Sequence, residues 1–250
     1  MSKEIVVTTK NAAENIRLSR IKSRESNLDE ELGAWKTLSL IDNSSKMNDI
    51  LKMPCAWTLK ERIIRFEPNM YDSNSGVTPK MIAQLAQEYL ESPRNVQLHL
   101  CRDPSRQSVD EDVQLATLNE YSPNVKFEKM SNGKLTLNNG NLEKIKNKQG
   151  ARSIDFFGSQ GENEFYLFAK YAAGAGSAQT HQIHECFEWL EEAKKYCNKQ
   201  HDKKFFIMLC DGEEAESHLR KMNEELVDYS NIFAGNCEQV IDFISKSIVN

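Results

Sequence analysis

Nowhere does the chain approach the roughly 20 consecutive apolar residues that a bilayer-crossing helix requires, and the start, MSKEIVVTTKNAAENIRLSR, lacks the apolar centre of a secretory signal. A cytoplasmic location is expected. Cysteine is sparse as well. Cys55, Cys101, Cys186, Cys197, Cys210 and Cys237 form no Cys-x-x-Cys pair, and most sit in apolar surroundings such as FFIMLC. Reduced core thiols are therefore expected, not a zinc or redox centre. Absent too are a low-complexity tract, any repeat with a period of roughly 20 to 50 residues, a GxxxxGK(S/T) phosphate loop, a GxGxxG turn in a βαβ unit and a GxSxG nucleophile elbow. Solenoids and the common nucleotide-binding and serine-hydrolase sites are disfavoured on those grounds.

The 250 residues carry 32 Lys plus Arg against 37 Asp plus Glu, a net charge of −5, with 39% hydrophobic residues. That balance excludes collagen, a coiled coil and wholesale disorder. A chain this long buries roughly 70 to 75% of its unfolded surface, so it needs neither disulfides nor a structural metal to fold.

The pattern is mixed α and β. Asn11 to Ser23, Glu30 to Ile41 and Trp57 to Phe66 place apolar residues at roughly helical spacing. Thr78-Pro79 before KMIAQLAQEYL is a helix start with an N-cap and a first-turn proline. Asn95 to Cys101 alternates as a short strand would, and Ser108 with Glu111 three residues on forms a capping-box pattern that opens a helix to about Asn119. Asn132-Gly133 and Asn139-Gly140 mark hairpin turns. Arg152 to Phe157 and Glu164 to Tyr171 read as an antiparallel pair joined by GSQGEN. The small-residue loop AAGAGSAQT leads into a helix from about His181 to Lys199. FFIMLC is a buried strand, and a helix around Glu214 to Tyr229, the strand NIFAG and a helix from Glu238 to Ile248 follow. The expected fold class is α/β (α+β), a central mixed sheet flanked by helices.

Asp155 in SIDFF and Lys170 in FYLFAKY fall on neighbouring strands of that pair, with Asp155 expected near Leu167 and Phe168. A carboxylate and an ammonium held at one sheet edge can bind a divalent cation and activate a water for attack on phosphorus; alone, they also suit an ordinary salt bridge. In the helix that follows, His181 and His184 share a face with Glu185 and Glu188. Basic residues cluster just before Asp155. Between Lys126 and Arg152 seven basic residues face Glu128 and Glu143, a local balance of +5, and the run IRLSRIKSR adds Arg17, Arg20, Lys22 and Arg24.

This succession, KNKQGARSIDFF, a short hairpin, YLFAKYAAGAGSAQTHQI, a long helix, then KKFFIMLCDGEEAE and NIFAGNCEQVIDFI, resembles the catalytic core of the PD-(D/E)xK nucleases, especially type II restriction endonucleases. The resemblance covers about residues 148 to 244. It implies a restriction-endonuclease-like core over 126–250; the part over 1–125, mainly helical by its apolar spacing, is expected to serve recognition or dimer contacts, in one compact domain overall. It also implies Mg²⁺ as cofactor, double-stranded DNA as substrate and a homodimer. Asp155 would ligate the metal and Lys170 would orient the water. The family tripeptide places a carboxylate two residues before the lysine, and this chain has Phe168 there. Some members relocate that carboxylate to the helix after the lysine strand, which makes Glu185 the expected second metal ligand, with Glu188 one turn further along. Glu164, six residues from Lys170, is too distant. Lys148, Arg152, Ser177, Gln179, Thr180 and His181 are the expected DNA contacts, the last four where the small-residue loop enters the helix. Two other readings stay open at this stage: a DNA-binding protein on a nuclease scaffold that has lost cleavage at Phe168, and an α/β interaction protein in which Asp155 and Lys170 form a structural pair.

Overall fold

The computed structural model describes residues 4–66, 76–101, 106–122, 124–130, 135–144, 152–172 and 177–249. In chain order the elements are α1 (Ala12–Ser39), α2 (Met47–Ile50), α3 (Ala56–Phe66), α4 (Pro79–Glu91), α5 (Arg94–Leu100), α6 (Arg106–Tyr121), β1 (Lys126–Lys129), β2 (Thr136–Asn138), β3 (Asn141–Glu143), β4 (Arg152–Ser153), β5 (Phe156–Gln160), β6 (Asn163–Tyr171), α7 (Ser177–Lys199), β7 (Lys204–Asp211), α8 (Glu213–Glu224), β8 (Ile232–Gly235) and α9 (Cys237–Val249). By contacts the chain divides into two units, one of Met1–Glu4 with Arg20–Pro104, the other of Ile5–Ser19 with Ser105–Asn250. This division puts α6 with the sheet, whereas the boundary expected at 125 and 126 put it with the helical part.

The first unit is helical. Leu28, Trp35, Leu38, Leu59, Ile63, Ile82, Leu85 and Ala86 make its core, with Trp35 set edge-on to Tyr89 at 5.2 Å. Thr78 caps α4 by accepting from the Met81 N–H. The segment from Asn95 to Cys101, expected as a strand, is helix α5: Pro93 starts it, and Gln97 turns back to donate to the Tyr89 and Leu90 carbonyls at the end of α4. A glutamine that satisfies the orphan carbonyls of the preceding helix favours a second helix turn over an extended strand.

The second unit holds a five-stranded sheet in the order β1-β5-β6-β7-β8, antiparallel through β1, β5 and β6 and parallel from β6 to β8. The mixed sheet flanked by helices is thus the observed class. Period-2 alternation splits its side chains between two cores. Tyr166, Phe168, Phe206, Met208 and Cys210 pack with Ile183, Trp189, Leu190 and Ala193 of α7. Phe165, Leu167, Ala169, Ile207 and Leu209 pack with Leu118 of α6 and with Val240, Ile241 and Ile244 of α9. The β5–β6 hairpin closes at Gly161-Glu162 between paired Gln160 and Asn163, with Gly161 at φ +59°, so GSQ of the expected loop belongs to the strand.

A smaller sheet, β3-β2-β4, carries the second expected hairpin through Asn139-Gly140, both at positive φ. The turn expected at Asn132-Gly133 lies outside the described residues; β1, before it, pairs with β5 in the large sheet. Arg152–Ser153 likewise pairs with β2 and not with the strand after it. The chain between them, Ile154-Asp155, therefore passes from one sheet to the other.

Candidate active site

That sheet switch sets Asp155. Its backbone N–H donates to the Leu167 carbonyl at 2.8 Å and its carbonyl accepts from the Met130 N–H at 2.7 Å, which fixes the residue between β1 and β6. Its side-chain Oδ2 accepts from the Ala169 N–H at 2.8 Å, the peptide directly before Lys170. Burial is the main cause that pushes this carboxyl up to about 7; the charge of Glu111 pushes the same way, while the Ala169 N–H, Lys170 and Lys129 pull it down.

Lys170 leaves β6 on the α7 side. Its Nζ lies 3.2 Å from Glu185 Oε2, both side chains more than four-fifths buried, and 4.6 Å from the centre of the Phe168 ring. The two residues that sequence reasoning joined across 15 positions therefore meet. Position 168 is a core residue. Phe168 is buried and stacks on Trp189 at 5.7 Å with an interplanar angle of 11°.

Glu111 was missed as a site residue because its spacing from Ser108 suggested a helix cap. Helix α6 starts at Arg106, two residues before Ser108, so Glu111 has no cap to complete. Its carboxylate pairs with Lys129 at 2.9 Å, and Lys129 also holds Asp112 at 2.8 Å. The charge of Glu111 thus acts on Asp155, in a set of side chains drawn from α6, β1, the β4–β5 link, β6 and α7. Nothing in the local sequence around Glu111 marks this; the packing of α6 against β1 and β6 brings it in.

The remaining expectations divide. Glu188 is half exposed, with His184 Nε2 at 3.4 Å. Glu164 lies at the opposite end of β6, near Lys204 at 3.6 Å and accepting from the Tyr166 hydroxyl. His181 is exposed on α7. Lys148 lies outside the described residues, as do the side chains of Arg152, Ser177, Gln179 and Thr180; Arg152 is on β4, and α7 begins at Ser177, so the last three are helical.

Among the described residues no three His, Cys, Asp or Glu side chains gather as a ready-made metal cage. Mg²⁺ does not require one, since it binds through one or two carboxylates and fills its octahedron with water and phosphate oxygens. A buried carboxylate beside a second one, with a pKa of about 7, suits a divalent cation that would relieve both. None of the described helices is long and apolar enough to cross a membrane. No protein-family model, no curated protein and no solved structure matches this chain.

Proposed function

We propose that the protein is a Mg²⁺-dependent endonuclease that hydrolyses phosphodiester bonds of double-stranded DNA at a short specific sequence, as type II restriction enzymes do. What carries the reading is one juxtaposition: buried Asp155, hydrogen-bonded to the peptide before Lys170, beside the Lys170–Glu185 pair. The order of a strand end with Asp, a next strand with Lys and a helix packed on the sheet supports it. Perturbed carboxyls concentrate where chemistry is done, because stability alone selects against them.

In this reading Asp155 and a second carboxylate hold the metal, which when bound supplies a Lewis acid to the scissile phosphate. Glu185 and Glu111 are the two candidates for that second carboxylate. Glu185 neutralises Lys170 in the free protein; Glu111 acts on Asp155 directly. The Lys170 ammonium, released from Glu185 as phosphate enters, orients the attacking water and stabilises charge on the phosphorane. Basic residues that include Lys148 and Arg152, with His181 and the α7 start, would contact the backbone of the duplex. A twofold-symmetric site would be read by a homodimer.

The test is incubation of mixed-sequence plasmid and phage DNA with Mg²⁺ or Mn²⁺, comparing Glu111→Ala with Glu185→Ala. Discrete fragments support a site-specific nuclease, and the variant that abolishes cutting identifies the second carboxylate. Retention of cutting in both sinks the two-carboxylate arrangement. The burial of Phe168 where the resemblance expects an acid favours a second reading, a nuclease-fold protein that binds DNA without cutting it. That reading predicts salt-sensitive binding to duplex DNA and intact plasmid under every metal.

A further inference from the structure

A buried amide connects the elements that carry the site. Gln114 follows Glu111 by one turn of α6 and is 1% exposed. Its Nε2 donates to the Lys170 carbonyl at 3.0 Å and to Asp211 Oδ2 at 2.7 Å. Asp211, the last residue of β7, is also buried, and its Oδ1 accepts from the Cys237 N–H at the start of α9 at 3.0 Å. The strand register sets Asp211 beside Tyr171, and the Ala172 N–H donates to the Asp211 carbonyl at 2.9 Å. One amide and one carboxylate thereby join α6, β6, β7 and α9 at the end of the sheet where Lys170 leaves it.

Apolar packing is non-directional and leaves a helix free to rotate or slide against its sheet; directed hydrogen bonds remove that freedom. A carboxylate in the core is costly unless hydrogen bonds offset its desolvation, and Asp211 accepts from two donors that no aliphatic residue could hold. We propose that Gln114 and Asp211 are positioning residues: they fix the Lys170 peptide and the register of α6, so that the Lys170 ammonium stays on Glu185 and the Glu111 charge stays on Asp155. The consequence for catalysis rests on the nuclease reading; the positioning itself is measured without DNA.

Trace acetylation of lysines with acetic anhydride, read by peptide mass spectrometry, reports the freedom of Lys170 against the exposed Lys203 of the same molecule. In Gln114→Met, which keeps side-chain length and removes the donor, the Lys170 to Lys203 labelling ratio should rise about five-fold, the local opening expected when roughly one net hydrogen bond is lost. Asp211→Asn should move it in the same direction. An unchanged ratio in either variant, with a native near-ultraviolet spectrum, overturns the proposal. Should both variants fail to fold, the wild-type chain decides: the Gln114 side-chain amide protons should exchange about 100-fold more slowly than those of exposed Gln200, and equal rates overturn the proposal. In the same preparations, a wild type that cuts DNA should lose kcat about ten-fold in Gln114→Met at unchanged KM, and an unchanged kcat contradicts positioning. A wild type that does not cut, with raised Lys170 labelling in the variant, keeps the positioning role and discards the nuclease reading.

Discussion

The Asp155 carboxyl binds a proton more tightly in the folded chain than in the unfolded one, at about 7 against an ordinary 3.8. Between those values the folded state holds a proton that the unfolded state has released, so stability falls as pH rises through this window and the loss is complete above about 7. At about 1.4 kcal/mol per unit the loss approaches roughly 4 kcal/mol. Asp211, pushed up to about 6 chiefly by burial, acts with the same sign over a narrower range. Unfolding at pH 5 and pH 8 should therefore show lower stability at pH 8, and Asp155→Asn should reduce the difference by raising stability at pH 8. Parallel pH profiles of wild type and variant would contradict the assignment. Phe168 yields a second expectation at this scale. Installing the family carboxylate by Phe168→Glu removes the stack on Trp189 and puts a charge into the core, so it should destabilise by about 3 kcal/mol or more despite the nearby Lys170. Chemical denaturation measures this, and an unchanged midpoint would show that position 168 tolerates an acid.

Elements with strong periodicity or turn chemistry were legible in advance: α4 from Thr78-Pro79, β7 from FFIMLC, and the β2–β3 hairpin from Asn139-Gly140. Gly140 illustrates why. At φ +65°, with an added Cβ falling 2.7 Å from the Lys195 backbone, the position admits glycine alone, and its N–H donates to Glu192 on α7. Gly140→Ala should cost about 1–3 kcal/mol by thermal unfolding and loosen the hairpin from α7. The start of α1 buries a polar stripe. Its apolar Ile21 is 42% exposed, while Asn15, Ser19 and Ser23 are buried. Those three accept from the Thr8, Val6 and Glu4 N–H groups of an extended segment running antiparallel to the helix. Two extended residues advance roughly 6.6 Å and four helical residues about 6 Å, so every second N–H meets every fourth side chain. A hydrophobic periodicity rule does not see a polar stripe buried by such a match. Ser19→Ala should cost about 1 kcal/mol by leaving the Val6 N–H unsatisfied, measured by denaturant unfolding.

On the scale of the whole molecule, the candidate site was legible where sequence distance was bridged by a hairpin and illegible where it was bridged by topology. Asp155, just before β5, and Lys170 on β6 are joined through the β5–β6 hairpin, and Glu185 follows on the next helix; Glu111 acts on Asp155 because α6 packs against β1 and β6. Lys126 and Lys144 are exposed, in a chain of net charge −5. Duplex DNA would then be held by local basic residues against an overall repulsion, and binding should weaken steeply with salt. If Asp155 and Lys170 perform the proposed hydrolysis, the initial rate of Mg²⁺-dependent cleavage of a DNA carrying a mapped site should show it in the wild type, Asp155→Ala and Lys170→Ala. Discrete ends are expected, with a fall of at least about 1,000-fold in each variant, the scale on which loss of a group acting in the transition state is felt. Cleavage that persists in both variants, or a wild type that leaves DNA intact with every divalent metal, would contradict that role.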